Sequence, residues 1–318
     1  MTALWISLGI IGGIIVLVLL GAFISFMMAF YSPKRKKLSD DEFDLPFGDN
    51  YEPYYDDMKK LMKEYREMER EEGVKVSIRS RDGLTLYGTY FGGIENAPVE
   101  IMLHGYRGTP ERDMCGGVRR AREIGHNALL IEQRACGDSD GRVITFGIKE
   151  RFDCLDWVNF VIEKFGSEVK IILTGISMGA ATVIMATGEG LPKNVVGVLA
   201  DCGYTSPSEI IKKVVKNMKL PVCIFYPLLK LGARIFGGFN LEETSPLEAI
   251  KKCSVPIMII HGEADKFVPC EMSKRLYEAC PSKKILLTVP SAGHGLSFLI
   301  NPELYFEKLD KFTALMGV

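Results

Sequence analysis

The pentapeptide Gly175-Ile176-Ser177-Met178-Gly179 constrains this chain more than any other segment, because of what flanks it. The apolar run VKIILT (169–174) precedes it and GAATVIMAT (179–187) follows. The first reads as a buried strand and the second as a helix. A sharp turn from strand to helix pushes the serine hydroxyl out at the top of a sheet. Backbone crowding there leaves room only for glycine two residues before and two residues after. The following helix points free N–H groups at any developing anion. With 17 serines and 32 glycines in 318 residues, the pattern G-x-S-x-G arises by chance about 0.2 times. Its position at a strand–helix junction removes most of those chances.

The surrounding sequence supplies the sheet that such a turn needs. VKVSIRS (74–80) and LTLYGTYF (84–91) flank Arg81-Asp82-Gly83 and predict an antiparallel hairpin. Six more strands are predicted in VEIMLHG (99–105), NALLIEQ (127–133), VKIILTGIS (169–177), VVGVLAD (195–201), VPIMIIHG (255–262) and KKILLTVP (283–290). Helical patterns lie around 111–124, 149–165, 179–187 and 271–280. Strands that alternate with helices pair in parallel through right-handed crossovers, and continuous apolar runs indicate a sheet covered on both faces. The expected class is therefore α/β: a mostly parallel eight-stranded sheet with helices on both faces. An insertion at about 203–250 holds two helical patterns, SEIIKKVVKNM and PVCIFYPLLKLGARIF. It is expected above the carboxyl ends of the strands, as a small lid. Its apolar stretch Val222–Leu231 either lines an acyl pocket or packs on its own domain.

A serine hydroxyl needs a base to attack a carbonyl, and the base needs an acid to orient it. On a sheet of this type the order along the chain is Ser, acid, His. His294 lies in Ser291-Ala292-Gly293-His294-Gly295 after the last strand, and Asp265 lies in His261-Gly262-Glu263-Ala264-Asp265 after the seventh. Ser177, Asp265 and His294 are thus the candidate nucleophile, acid and base, all at carboxyl ends of strands, where such sheets place their ligands. Asp201, ending the sixth strand, is the alternative acid. His261 is better explained as closing its strand than as the base. The backbone N–H groups of Met178 and Tyr106 are the candidate oxyanion donors. Tyr106 sits in His104-Gly105-Tyr106-Arg107-Gly108, where Gly105 permits close approach and His104 braces the loop.

HGYRG, QRACGDSDG, GISMG, HGEAD and AGHG, in this order, resemble the motifs of the α/β-hydrolase superfamily. More narrowly, the chain over residues 74–318 is similar to membrane-anchored bacterial serine hydrolases near the prolyl-oligopeptidase-like and acylaminoacyl-peptidase-like branch. The resemblance implies a Ser–Asp–His triad on Ser177, Asp265 and His294, and no cofactor. Ala135-Cys136 stands where many relatives carry Gly-His, outside the triad. The expected activity is hydrolysis of a carboxylic ester or thioester through an acyl-enzyme. The alternatives are a peptidase or amidase, and a non-catalytic, membrane-tethered interaction protein.

The first 31 residues read as a transmembrane anchor. Thr2 to Pro33 carries no charged side chain, and Lys34-Arg35-Lys36-Lys37 follows. A helix from Ala3 to Phe30 spans about 40 Å, enough to cross roughly 30 Å of hydrocarbon. The positive-inside bias places the catalytic domain in the cytoplasm. Residues 32–73 are expected to be a polar juxtamembrane linker followed by an amphipathic helix from about 51 to 72, whose stripe of Tyr54, Met58, Leu61, Met62, Tyr65 and Met68 packs on the domain. A net charge of −1 gives no basic excess for nucleic acid. Eight cysteines without a CxxC, and four histidines, predict reduced buried thiols and no metal site. The expected partners are a small or lipid-like acyl substrate and the membrane.

Overall fold

The computed structural model describes residues 2–34, 38–46 and 51–317. The chain opens with α1 (Thr2–Ala29), then α2 (Tyr55–Glu72), and enters the sheet with β1 (Val74–Arg79), β2 (Thr85–Phe91) and β3 (Val99–Leu103). Next come α3 (Pro110–Glu123), β4 (Asn127–Ile131), α4 (Glu150–Phe165), β5 (Ile171–Ile176), α5 (Met178–Thr187) and β6 (Val195–Asp201). The insertion supplies α6 (Pro207–Asn217), α7 (Val222–Ile235) and α8 (Pro246–Ala249). The chain ends with β7 (Ile257–Gly262), α9 (Cys270–Ala279), β8 (Lys284–Val289), α10 (Ser297–Ile300) and α11 (Pro302–Met316).

The strands form one eight-stranded sheet in the order β1-β2-β4-β3-β5-β6-β7-β8. The β1–β2 and β2–β4 pairs are antiparallel and every later pair is parallel. Antiparallel pairing is thus confined to the start of the sheet, as expected. Local chemistry starts the helices: Thr109 and Ser206 cap α3 and α6 with their side-chain oxygens, and each is followed by a proline whose missing N–H costs nothing there.

Both faces of the sheet are covered. On one, Leu103, Leu129, Leu173 and Ile257 pack with Trp157 of α4 and Ile184 of α5. On the other, Met102 and Leu130 meet Met62 and Tyr65 of α2 and Val118 of α3, while Leu199 and Met258 meet Leu309 and Phe312 of α11. The amphipathic stripe of α2 is therefore a core face. The expected polar linker needs correction over 38–46: Phe43 and Leu45 pack against the Met62 cluster, and the Arg66 guanidinium donates to the carbonyls of Asp40 and Glu42 at 2.5 and 2.6 Å. Arg35, Lys36 and Lys37, which carry most of the expected charge bias, lie outside the described residues.

The stretch Leu4–Ala29 of α1 is long and apolar enough to cross a membrane. Its two halves differ. Side chains from Leu4 to Leu20 are exposed, whereas Ala22, Phe26 and Phe30 are buried. The later half packs against α7 so closely that a Cβ on Gly232 would stand 2.4 Å from the Ala22 carbonyl oxygen. The chain leaving α1 is tied down as well. Ser32 N–H donates to Arg142 O, and Ile144 N–H to Phe30 O, both at 2.8 Å. All eight cysteines are reduced. Six are buried, but Cys223 on α7 is exposed and Cys270 is half-buried, which corrects the expectation for those two.

Candidate active site

Ser177 sits at the crossing between β5 and α5 with φ +55° and ψ −114°. A non-glycine residue in this region stores about 1–3 kcal/mol and persists only where its surroundings hold it. Here Ser177 N–H donates to Asp201 O at 2.8 Å, tying the turn to β6. The flanking glycines are required sterically. A Cβ on Gly175 would lie 2.3 Å from the Gly179 carbonyl carbon, and one on Gly179 would lie 2.1 Å from Leu103 O.

Three loops at carboxyl ends of strands bring Ser177, His294 and Asp265 together. Ser177 Oγ is 2.9 Å from His294 Nε2, and His294 Nδ1 is 2.6 Å from Asp265 Oδ2. With Nδ1 as donor, Nε2 is free to accept the serine proton. The second Asp265 oxygen accepts the N–H groups of Phe267 and Val268, both at 2.8 Å. His261 Nε2 stands 3.2 Å from Asp265 Oδ2 and 2.8 Å from Val268 O, while its Nδ1 meets Ser273 Oγ at 2.6 Å. Burial pushes the Asp265 carboxyl up, but the contacts from His261 and His294 outweigh it and hold the group well below the ordinary carboxylate range. It is therefore an anion wherever His294 needs an orienter. His261, expected to close its strand, also braces this carboxylate.

Asp201 has the opposite character. Its Oδ1 is buried with no hydrogen-bond partner among the described residues, and burial pushes the carboxyl up to about 6. The hydrogen bond from His294 runs to Asp265, which leaves Asp201 as a carboxyl that ionises at a cost. A raised carboxyl is more protonated in the folded than in the unfolded chain. Stability therefore falls as pH rises from about 4 to about 6, and the deficit stays constant above that. An Asp201→Asn variant is expected to gain on the order of 2 kcal/mol at pH 8 and little at pH 4. Denaturant midpoints at the two pH values measure this, and an equal shift at both would refute the assignment.

The loop after β3 approaches the serine from the other side. A Cβ on Gly105 would lie 3.4 Å from Ser177 Cβ, and Gly105 N–H donates to Asp113 Oδ2 at 2.8 Å. His104 braces this loop, as expected: Nδ1 is 2.8 Å from Gly105 O, and Nε2 accepts Gln133 N–H at 3.1 Å. The Gln133 side chain also donates to His104 O at 2.5 Å. The QRACGDSDG segment thus supports the HGYRG loop, a role its own pattern does not announce. Met178 is the first residue of α5, so its N–H has no acceptor within that helix.

Two cavities meet at Ser177. One, of about 360 Å³, is bounded by Tyr51, Met58, Arg112, Asp113, Asp201 and His294. The segment before β1 is therefore part of the site's wall. The other, of about 500 Å³, is almost wholly apolar and runs between α1, α6 and α7, past Ile24, Ile211, Val214, Phe225 and Leu229. Cys202 Sγ lies 3.9 Å from His294 Nε2, and with Asp265 these groups place three donors within 4.8 Å of one another. They fit a metal poorly. Both nitrogens of His294 are engaged, and burial pushes the Cys202 thiol well up, so it stays protonated instead of offering a thiolate.

Comparison with known proteins agrees with this architecture. Residues 198–296 match the family described as Serine hydrolase (FSH1). The YqkD protein of Bacillus subtilis (strain 168) is 26% identical over 196 residues, covering 61% of this chain and 64% of that protein, just under two thirds of its length. An esterase of Pyrococcus furiosus, Pf2001, superposes with TM-score 0.64 at 21% identity, over 90% of this chain and 98% of its own. The acylaminoacyl peptidase of Pyrococcus horikoshii superposes with TM-score 0.56 at 17% identity, over 76% of this chain and 41% of its own. At these identities the two structures share the fold with this chain.

Proposed function

We propose that this member of the α/β-hydrolase superfamily is a serine hydrolase that cleaves a carboxylic ester or thioester through an acyl-enzyme on Ser177. The observation that carries the proposal is the continuous series Ser177 Oγ, His294, Asp265, with contacts of 2.9 and 2.6 Å, facing an apolar cavity. In this mechanism His294 Nε2 takes the Ser177 proton as Oγ attacks the acyl carbon. Asp265 holds the imidazole tautomer and stabilises the imidazolium. The N–H groups of Met178 and Tyr106 receive the charge that develops on the carbonyl oxygen. The bond from the acyl carbon to the leaving oxygen or sulfur breaks, and the leaving group departs with the proton from His294. Water then attacks the acyl-enzyme, giving its proton to His294, and Ser177 leaves with that proton restored.

The apolar cavity favours an acyl chain over a peptide. It offers little to pair with the N–H and C=O groups of a peptide, and leaving such groups unpaired in a buried site costs about 1–3 kcal/mol each. The test is fluorophosphonate labelling of the full chain in detergent, with the modified residue located by mass spectrometry. A panel of acyl esters, acyl thioesters and aminoacyl anilides follows. Label on Ser177, and ester or thioester turnover at least about tenfold above that of anilides, is the expected result. Folded protein that takes no label would overturn the hydrolase assignment, and faster anilide turnover would select the amidase alternative.

A further inference from the structure

The wall of the apolar cavity includes the membrane-type helix itself. Gly21, Ile24, Ser25, Met28 and Ala29 recur at helical spacing on one face of α1, and all border the space that ends at Ser177. We propose that α1 is a working part of the acyl site, and that the cavity holds the acyl chain of a bilayer lipid ester delivered along α1. The proposal rests on the serine hydrolase mechanism above and names the substrate class for the same site.

Four observations converge on it. The first is extent. The exposed apolar part of α1, Leu4 to Leu20, is about 25 Å long, close to the roughly 30 Å of bilayer hydrocarbon. The cavity begins at Gly21, where the part of the helix suited to lipid ends. The second is size and chemistry. About 500 Å³ bounded by aliphatic and aromatic side chains falls in the range of small-molecule sites, and it suits a hydrocarbon chain with its carbonyl at Ser177. The third is the neighbouring surface. Ile224, Ile235 and Phe236, on or just after the helix that packs against α1, are exposed apolar side chains. Such a patch matches an interfacial lipid surface better than water.

The fourth is mechanical. The last carbonyls of a helix lack partners within it. Here the Tyr106 hydroxyl donates to Ala29 O at 2.7 Å, and the Arg107 guanidinium donates to Met28 O and Tyr31 O at 3.0 and 2.7 Å. The loop that carries the proposed oxyanion donor is thereby fastened to the end of α1. A helix that served only as a tether would need neither these bonds nor a face on the cavity. The chemistry balances as ester plus water giving fatty acid plus alcohol, with the acyl carbon passing from the leaving oxygen to Ser177 Oγ and then to water.

The test uses the full chain reconstituted in phosphatidylcholine vesicles and three variants. Ser25→Phe and Val214→Phe each place a ring in the cavity, from α1 and from α6. Val16→Phe, half a turn from Ser25 on the helical wheel and exposed, is the control. The readout is kcat/KM for 4-nitrophenyl acetate and 4-nitrophenyl palmitate, with a monoacyl glycerol ester carried in the same vesicles. Ser25→Phe and Val214→Phe are expected to lower palmitate and vesicle-ester turnover by about tenfold more than acetate turnover, and Val16→Phe to change neither. Equal losses on acetate and palmitate in both cavity variants would reduce α1 to a structural support and overturn the proposal. An unchanged chain-length profile in both would overturn it as well. In each of those cases acetate hydrolysis by the unaltered chain leaves the hydrolase assignment standing, whereas its absence, together with no fluorophosphonate label, would bring down both.

Discussion

In a Ser177→Ala variant, hydrolysis of the best ester substrate is expected to fall by about 10⁴–10⁶-fold, or roughly 5–8 kcal/mol of transition-state stabilisation. The size of the loss follows from the geometry. Ser177 Oγ is the atom that faces His294 Nε2 at 2.9 Å, and without it no covalent route remains. On the proposed mechanism, what would survive is water attack assisted by the Met178 and Tyr106 N–H groups. Folding should be nearly unaffected, because alanine meets the same backbone strain at φ +55° that serine does. The lost Oγ contact is worth only about 1 kcal/mol. A His294→Ala variant should lose a similar factor, and the double variant should lose no more than either single one, because the groups act as a unit. Single-turnover kinetics with thermal melts as a folding control measure all three. Multiplicative losses in the double variant, or ester turnover retained in Ser177→Ala, would show that the chemistry runs elsewhere.

Gly179→Ala should be among the most damaging methyl additions at the described glycines. Its Cβ would stand 2.1 Å from Leu103 O, 2.7 Å from Leu103 C and 2.8 Å from His104 O. All three atoms are backbone, so no rotamer change relieves the clash. Leu103 is also held in the sheet, paired with Ile131 of β4 and Gly175 of β5. Either α5 or the end of β3 must move, and the expected cost is about 3–5 kcal/mol of stability. The same movement would disturb the proposed oxyanion donors, the Met178 and Tyr106 N–H groups, so activity should fall even in molecules that fold. Gly116→Ala is the matched control. Its nearest neighbour would be Phe298 Cε1 at an ordinary 3.4 Å, and alanine in a helix is worth about 1 kcal/mol over glycine. Urea midpoints and ester turnover of the two variants decide the matter. A Gly179→Ala protein with the stability and activity of the unaltered chain would remove the steric basis of the turn.

What was legible in the amino-acid order alone was whatever short-range physics determines. Side-chain periodicity and turn chemistry act over a few residues, so the eight apolar runs, the Arg81-Asp82-Gly83 hairpin and the strand–helix crossing at Ser177 could be read directly. Ser177, Asp265 and His294 could be nominated because each directly follows an apolar run, and a parallel sheet collects the ends of such runs on one edge. The tertiary structure decided what depends on distance between remote segments. Asp201 ends a strand and Asp265 follows one, and only the fold shows that His294 turns to Asp265 while Asp201 is left buried with no partner for Oδ1 among the described residues. The support given by His261 and Gln133 is likewise a contact between loops, with no local signature. The same holds for α1. An apolar helix has the same composition whether it faces lipid tails or a protein interior, since the two are equally apolar. The sequence therefore establishes a helix able to cross a bilayer, and only its packing against α7 and its bonds to the Tyr106 loop bring its last turns to the edge of the cavity that reaches Ser177.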